Sequence, residues 1–219
     1  MVVSRKANGI SPESEAFLDP QVFAAYGAKL GQLHEASMTA TQEGFRYQRP
    51  DWVEAPSFSF EKPIRNTWLE IPEDVRKIMF AIRDRAAELP RTPETFGMIH
   101  GDMTPINSFL DWDDVWLFDF DDSCYHYFMY DICCFLIQTQ REALDAGVTF
   151  SPAGIFRENY EKYHHLPEEC WSQDYMNRFF SLRLASGIWL MGQSRTKKYV
   201  ERDHKMSQVL FQVLRGMKI

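Results

Sequence analysis

Apolar positions along this chain recur mostly at three- and four-residue intervals, the period of a helix with one buried face. Val22, Phe23, Tyr26, Leu30 and Leu33 form one such stripe, behind Asp19-Pro20, an N-cap with proline at the first helical position. Gly27 and Gly31 on the same stretch point to close packing against a neighbouring element. A second stripe, Val75, Ile78, Met79, Ile82 and Leu89, opens behind Pro72 and stops at Pro90. Asp131 to Ala146 begins almost uniformly apolar, which predicts a core helix ended by Gly147. Ser151-Pro152 opens a helix carrying Ile155, Phe156, Tyr160 and Tyr163, and a longer one carries Phe179, Leu182, Ile188 and Trp189. The last helix is expected to bury Met206, Val209, Leu210, Val213 and Leu214. Residues 44–68 lack this period and mix aromatics with prolines, a long loop that either lines a cleft or packs over the body. Two apolar runs around DWDD, residues 111–114, predict a β-hairpin.

With 219 residues, 45% of them hydrophobic and 15% aromatic, the chain reads as a soluble globular protein able to bury a sizeable core. A net charge of −7 argues against nucleic acid or an anionic membrane as the main partner. No apolar run reaches the length of a membrane span, and MVVSRKANG lacks a secretory apolar region. The cysteines at 124, 133, 134 and 170 show no zinc spacing, so free, buried thiols and a cytoplasmic location are expected.

The charge is unevenly placed. Eight aspartates fall between His100 and Asp131, and no Lys or Arg lies between Arg91 and Arg141. Two carboxylates about 6 Å apart repel by roughly 3 kcal/mol at an effective dielectric of 20, so several of them folded together need a cation or raised pKa values. Asp111, Asp113 and Asp114 suit a solvated turn. Asp119, embedded in VWLFDF, reads instead as a carboxylate at the end of a buried strand, costly unless paired or metal-bound. Asp102 precedes Asn107 by five residues, and the hairpin then leads to Asp119. A carboxylate, an amide oxygen and a second carboxylate are hard ligands suited to magnesium.

HGDxxxxN followed by an apolar strand ending in DF resembles the signature of the aminoglycoside phosphotransferase and choline kinase family, relatives of the protein kinases. The YHYFMYDI run and the earlier LGQLH segment resemble the same family's continuation and first large-lobe helix. The resemblance implies an α+β, predominantly α-helical fold: the C-terminal lobe of a protein-kinase-like enzyme, with a small catalytic β-hairpin. Residues 1–10 then match the hinge strand, and residues 11–219 the large lobe as a single domain. The implied reaction is transfer of phosphate from ATP, or GTP, to a hydroxyl of a small molecule. Asp102 would accept the hydroxyl proton or orient the nucleophile, and Asn107 and Asp119 would hold Mg2+. His100 would buttress the loop, and Asp131 would hydrogen-bond backbone beside it. Asp121, Asp122 and His126 would face the acceptor, where acids suit an amine-bearing molecule.

Some parts of that pattern are missing. The eleven glycines include neither GxGxxG nor GxxxxGK, and no strand lysine with a helix glutamate partner precedes a hinge. The chain alone is therefore expected to have weak or no kinase activity, and its open small-lobe face to invite self-association or a partner. A non-catalytic, pseudokinase-like or truncated binding module is the main alternative. WLFDFDDS also resembles the opening motif of haloacid-dehalogenase phosphatases, with Asp119 as nucleophile, but it lies mid-chain before an all-helical remainder. His34 reads as a hydrogen-bonded structural residue, His164 and His165 as a helix-terminal surface pair, and RTKKYVERDHK as a solvated charged turn.

Overall fold

In a computed structural model, residues 9–12, 14–44, 48–61, 70–111, 114–193 and 200–217 are described. Helix α1, Pro20–Gln42, starts as its sequence demands: Asp19 Oδ1 accepts the N–H of Gln21 at 2.8 Å, and proline occupies the first turn. Its buried face carries Val22, Phe23, Tyr26, Leu30 and His34. Helix α4, Pro152–Tyr160, is capped by Ser151, whose hydroxyl accepts the N–H of Gly154. It lies so close to α1 that a Cβ on Gly27 would sit 2.3 Å from the Phe156 carbonyl, and one on Gly31 2.5 Å from that of Tyr160. Glycine at both positions is what lets the two backbones touch.

Between them in sequence come helix α3, Phe128–Asp145, and four short strands. Strand β1, Phe96–Ile99, pairs antiparallel with β4, Cys124–Tyr127, with Ile99 opposite Cys124. Strand β2, Ser108–Asp111, pairs with β3, Asp114–Leu117, with Ser108 opposite Leu117. The β2–β3 hairpin is the expected one, and Ile10 bridges its outer edge at Leu110. The rest of the expected hinge strand, residues 1–8, lies outside the described residues, as do hairpin positions 112 and 113. Residues 124–127 are all buried, so neither side alternates with polar positions and β4 leaves no period-two trace.

The chain falls into two compact units. The first, Met1–Arg49 with Arg91–Trp171, contains α1, α3, α4 and the four strands. At its centre Tyr26 stacks on Phe135 with ring centroids 4.3 Å apart, and Phe135 in turn stacks on Phe156. All four cysteines are buried, and none forms a disulfide.

The second unit, Pro50–Pro90 with Ser172–Ile219, holds helices α2, Glu73–Ala87, α5, Gln173–Gln193, and α6, Val200–Gly216. Trp52, Phe58 and Phe60 from the aromatic segment are fully buried here, so in these residues it is core. Trp189 donates its indole N–H to the Pro56 carbonyl at 2.9 Å, and Arg76 donates to that of Phe60. Helix α6 departs from expectation. It buries Ser207, Phe211 and Leu214, whereas Met206, Val209 and Val213 are 51%, 59% and 41% exposed. Apolar residues on this helix flank two adjoining seams, and hydropathy does not tell which one a neighbour covers. Residues 200–204, assigned to a charged turn, belong to this helix. Among the described residues no helix is long and apolar enough to cross a membrane.

Candidate active site

The chain leaves β1 at His100 and runs through a loop to Asn107 before entering β2. Asp131 organises that loop from the first turn of α3, where the positive end of the helix favours a carboxylate. Its Oδ2 accepts the N–H of His100 at 2.7 Å and its Oδ1 that of Gly101 at 2.9 Å. His34 Nε2 lies 3.4 Å from Oδ2. Burial opposes ionisation of Asp131, but the His34 bond, the nearby imidazoles and the Gly101 N–H outweigh it and hold the carboxyl below its usual range. His34 itself is pushed down by burial, with Asp131 partly offsetting. Tyr160, whose hydroxyl is kept protonated by burial, lies 2.8 Å from His34 Nδ1. The sense is therefore Tyr160 O–H to His34, His34 Nε2–H to Asp131, and loop amides to the same carboxylate. Three helices thus fix one turn of backbone.

His100 is fully buried, and its Nε2 donates to the Phe118 carbonyl at 2.9 Å while Nδ1 receives the Asp102 N–H at 3.4 Å. Phe118 is also held from its amide, which donates to the Asn107 carbonyl at 3.1 Å. Those two bonds carry the end of β3 to the loop, and Asp119 follows directly. Asp119 adopts φ 64° and ψ 60°, the left-handed region that few non-glycine residues visit. Its carboxylate is exposed, so the expected burial in an apolar strand does not occur. The chain escapes that cost by leaving the strand at Leu117 and turning the acid outward.

Asn107 is buried, and its Nδ2 donates both to the Asp102 carbonyl at 2.9 Å and to Asp102 Oδ2 at 3.0 Å. Both amide hydrogens are thereby directed at Asp102, and the amide oxygen is turned the other way. The Asn107 amide oxygen and the exposed Asp119 carboxylate are hard oxygen donors of the kind magnesium takes, so their chemistry fits that ion, with the half-buried Asp102 beside them in the loop. Among the described residues no three His, Cys, Asp or Glu side chains gather where they could hold a metal ion together. Asp121 and Asp122 are exposed on the turn after Asp119, and Gly101 packs against that turn. A Cβ there would meet the Asp122 carbonyl at 2.2 Å.

His126 does not join them. It lies in β4, fully buried and stacked on Tyr130, and its Nδ1 accepts the Tyr127 N–H. Burial pushes its pKa well down. The expected role at the acceptor is therefore withdrawn: alternation along β4 is replaced by burial on both faces. His164 is corrected as well. It is buried, bonding the Glu94 carbonyl at 2.8 Å and Glu35 Oε2 at 3.0 Å, while His165 is exposed.

Cations reach this acidic stretch from far away in sequence. Arg49 donates to the Asp121 carbonyl at 3.2 Å, and Lys29 pairs with Asp114 at 2.7 Å. Tyr26 bonds Ser108 at 2.6 Å and ties the hairpin to α1, its hydroxyl pushed up to about 12 by burial. No local sequence signal marked Arg49, Lys29 or Tyr160 as neighbours of this loop.

Residues 5–166 match the phosphotransferase enzyme family, APH. The chain belongs to that family. Within it, amicoumacin kinase of Bacillus subtilis is 24% identical over 115 residues, which is 52% of this chain and 33% of that protein. The chain thus spans only about a third of that relative's length. An amicoumacin kinase solved with AMP-PNP, Ca2+ and Ami superposes at TM-score 0.73 and 21% identity, covering 95% of this chain and 62% of the other. A microcompartment-associated aminopropanol kinase gives 0.67 at 16% identity, covering 90% and 62%. Choline kinase LicA from Streptococcus pneumoniae gives 0.64 at 14%, covering 95% and 67%. These phosphotransferases share the kinase-like, largely helical fold expected from the motifs.

Proposed function

We propose that this phosphotransferase-family chain acts in transfer of the γ-phosphoryl group of ATP, or GTP, to a hydroxyl of a small molecule. The observation that supports it most is the Asn107 amide, which spends both hydrogens on Asp102 and leaves its oxygen for an ion. Asn107 and Asp119 would hold Mg2+, which when bound neutralises charge on the phosphates. Asp102, oriented by the Asn107 N–H, would accept the proton of the attacking hydroxyl or align it, a contribution on the order of 10²- to 10⁴-fold. His100 and Asp131 touch no reactant; they hold the backbone of that loop.

Asp121 and Asp122 would attract an amine-bearing acceptor. Amicoumacin, aminopropanol and choline, which name kinases similar to this chain, support that preference. Arg49 would temper the acidic patch from one side. These 219 residues include no glycine-rich phosphate loop, and because positioning supplies several kcal/mol of such barriers, slow turnover is expected of these residues on their own.

Two measurements test these statements separately. Titration with Mn2+ and ATP should show nucleotide-dependent metal binding that Asn107→Ala and Asp119→Asn each weaken at least tenfold; metal binding indifferent to both would remove the kinase reading. Phosphorus NMR of Mg·ATP with choline, aminopropanol and neutral alcohols should show slow transfer favouring the amines. Rapid turnover would refute the expected impairment, and equal rates on neutral alcohols would refute the amine preference.

A further inference from the structure

The second unit contains a cavity of about 400 Å³, within the range of small-molecule sites. Its polar side is formed by Arg85 from the last turn of α2 and by Arg178, Asp174 and Ser181 from α5, and its apolar side by Ile82 and Phe180. The charges do not cancel. Asp174 is the single carboxylate among the described residues of the lining, and it lies between two guanidinium groups. Arg178 Nη2 donates to Asp174 Oδ2 at 2.9 Å, the i,i+4 pair of one helix. Arg85 Nη2 stands 3.6 Å from Oδ1, an ion pair beyond hydrogen-bond reach.

Each guanidinium carries five N–H donors in a rigid fork. Among the described residues Arg85 has no partner but Asp174, and Arg178 Nε is buried without an acceptor. Arg178 is 25% exposed and Arg85 37%, so it is the Arg178 guanidinium, with its Nε shut away from water, whose donors are poorly satisfied. A structural helix-to-helix tie needs one arginine on that carboxylate. The second leaves the cavity with a net positive charge, free donors and an apolar wall.

We propose that this cavity binds a small amphipathic carboxylate, its anionic end forked on Arg85 and Arg178 and its apolar part against Ile82 and Phe180. Bidentate pairing with a planar carboxylate is what such guanidinium groups recognise. The lining residues all belong to the second unit and residues 100–107 to the first, and the proposal does not depend on the kinase reading.

Isothermal titration of the full chain with 4-phenylbutyrate, 4-phenylbutan-1-ol and inorganic phosphate tests it. Saturable one-to-one binding of phenylbutyrate is expected, at least tenfold tighter than the alcohol and than phosphate. Arg85→Met and Arg178→Met should each weaken it at least tenfold, whereas Asp174→Asn, by removing the competing carboxylate, should tighten it. That opposite sign separates a binding role from loss of fold, and Arg85→Met with Asp174→Asn decide the matter should Arg178→Met fail to fold. Absence of saturable binding, equal binding of the alcohol or of phosphate, or weaker binding by Asp174→Asn would each overturn the proposal.

Discussion

Asp131 Oδ2 accepts the backbone N–H of His100 at 2.7 Å, across 31 residues of chain. With Oδ1 on the Gly101 amide, this buried carboxylate satisfies two donors of a loop that cannot form a ladder of its own. It fixes the point from which Asp102 projects. Replacement by alanine leaves both amides buried without an acceptor and His34 without its partner. Asp131→Ala should therefore cost about 3–5 kcal/mol, read as a lowered urea midpoint, and Asp131→Asn less, because one oxygen still accepts. Equal stability of wild type and Asp131→Ala would contradict the assignment.

Stability should fall with acid in two windows. His34 and His126 have folded-state pKa values lowered chiefly by burial, so below about 6.5 the unfolded chain takes up protons that the fold refuses. Stability is complete above that value and declines as pH drops from 7 towards 5. Asp131 is also lowered, so its contribution is present above about 3.9 and is lost as pH falls through its folded value. Urea unfolding between pH 8 and pH 3 should show both declines, and His126→Asn should flatten the first. An unchanged slope in that variant would count against a buried, neutral His126.

Gly101 has φ +88° and no room for a Cβ beside the Asp122 carbonyl. Gly101→Ala should destabilise by about 2 kcal/mol or more, since both the backbone conformation and the contact must give. The same change at Gly44, where nothing lies within 4 Å, meets only the strain of its positive φ. A larger loss of thermal stability at Gly44 than at Gly101 would show the close approach to be unimportant.

Asp102→Asn should separate chemistry from metal binding. The asparagine keeps an oxygen for the Asn107 N–H, so the fold and Mn2+·ATP affinity should change less than threefold. Phosphate transfer should drop on the order of 10²-fold or more, as for loss of a general base. Metal affinity falling as steeply as in Asp119→Asn would make Asp102 a ligand instead.

The candidate groups could be named from the chain, because HGDMTPIN sets Asp102 five residues before Asn107 and the second strand of the hairpin leads into Asp119. A five-residue loop lets the Asn107 amide reach Asp102, and the hairpin returns the chain to the Asn107 carbonyl at Phe118, one residue before Asp119. Helix positions were legible for a similar reason: Asp19 and Ser151 start helices through side-chain bonds to their own first turn, and Pro72 precedes one by its fixed backbone. Faces were less so. His126 and the seam of α6 were misjudged because burial depends on what covers a face, and periodicity names only the face.

By itself, then, the amino-acid order determined the helices, the hairpin and the oxygen groups of the loop, since these depend on interactions spanning a few residues. Only tertiary structure decided that Tyr160 and His34 support Asp131, and that Arg49 comes from 72 residues away to the Asp121 carbonyl. It also decided that Arg85 and Arg178 share one carboxylate. Such contacts join distant segments, and their partners are chosen by packing of whole helices, for which no local spacing carries a signal.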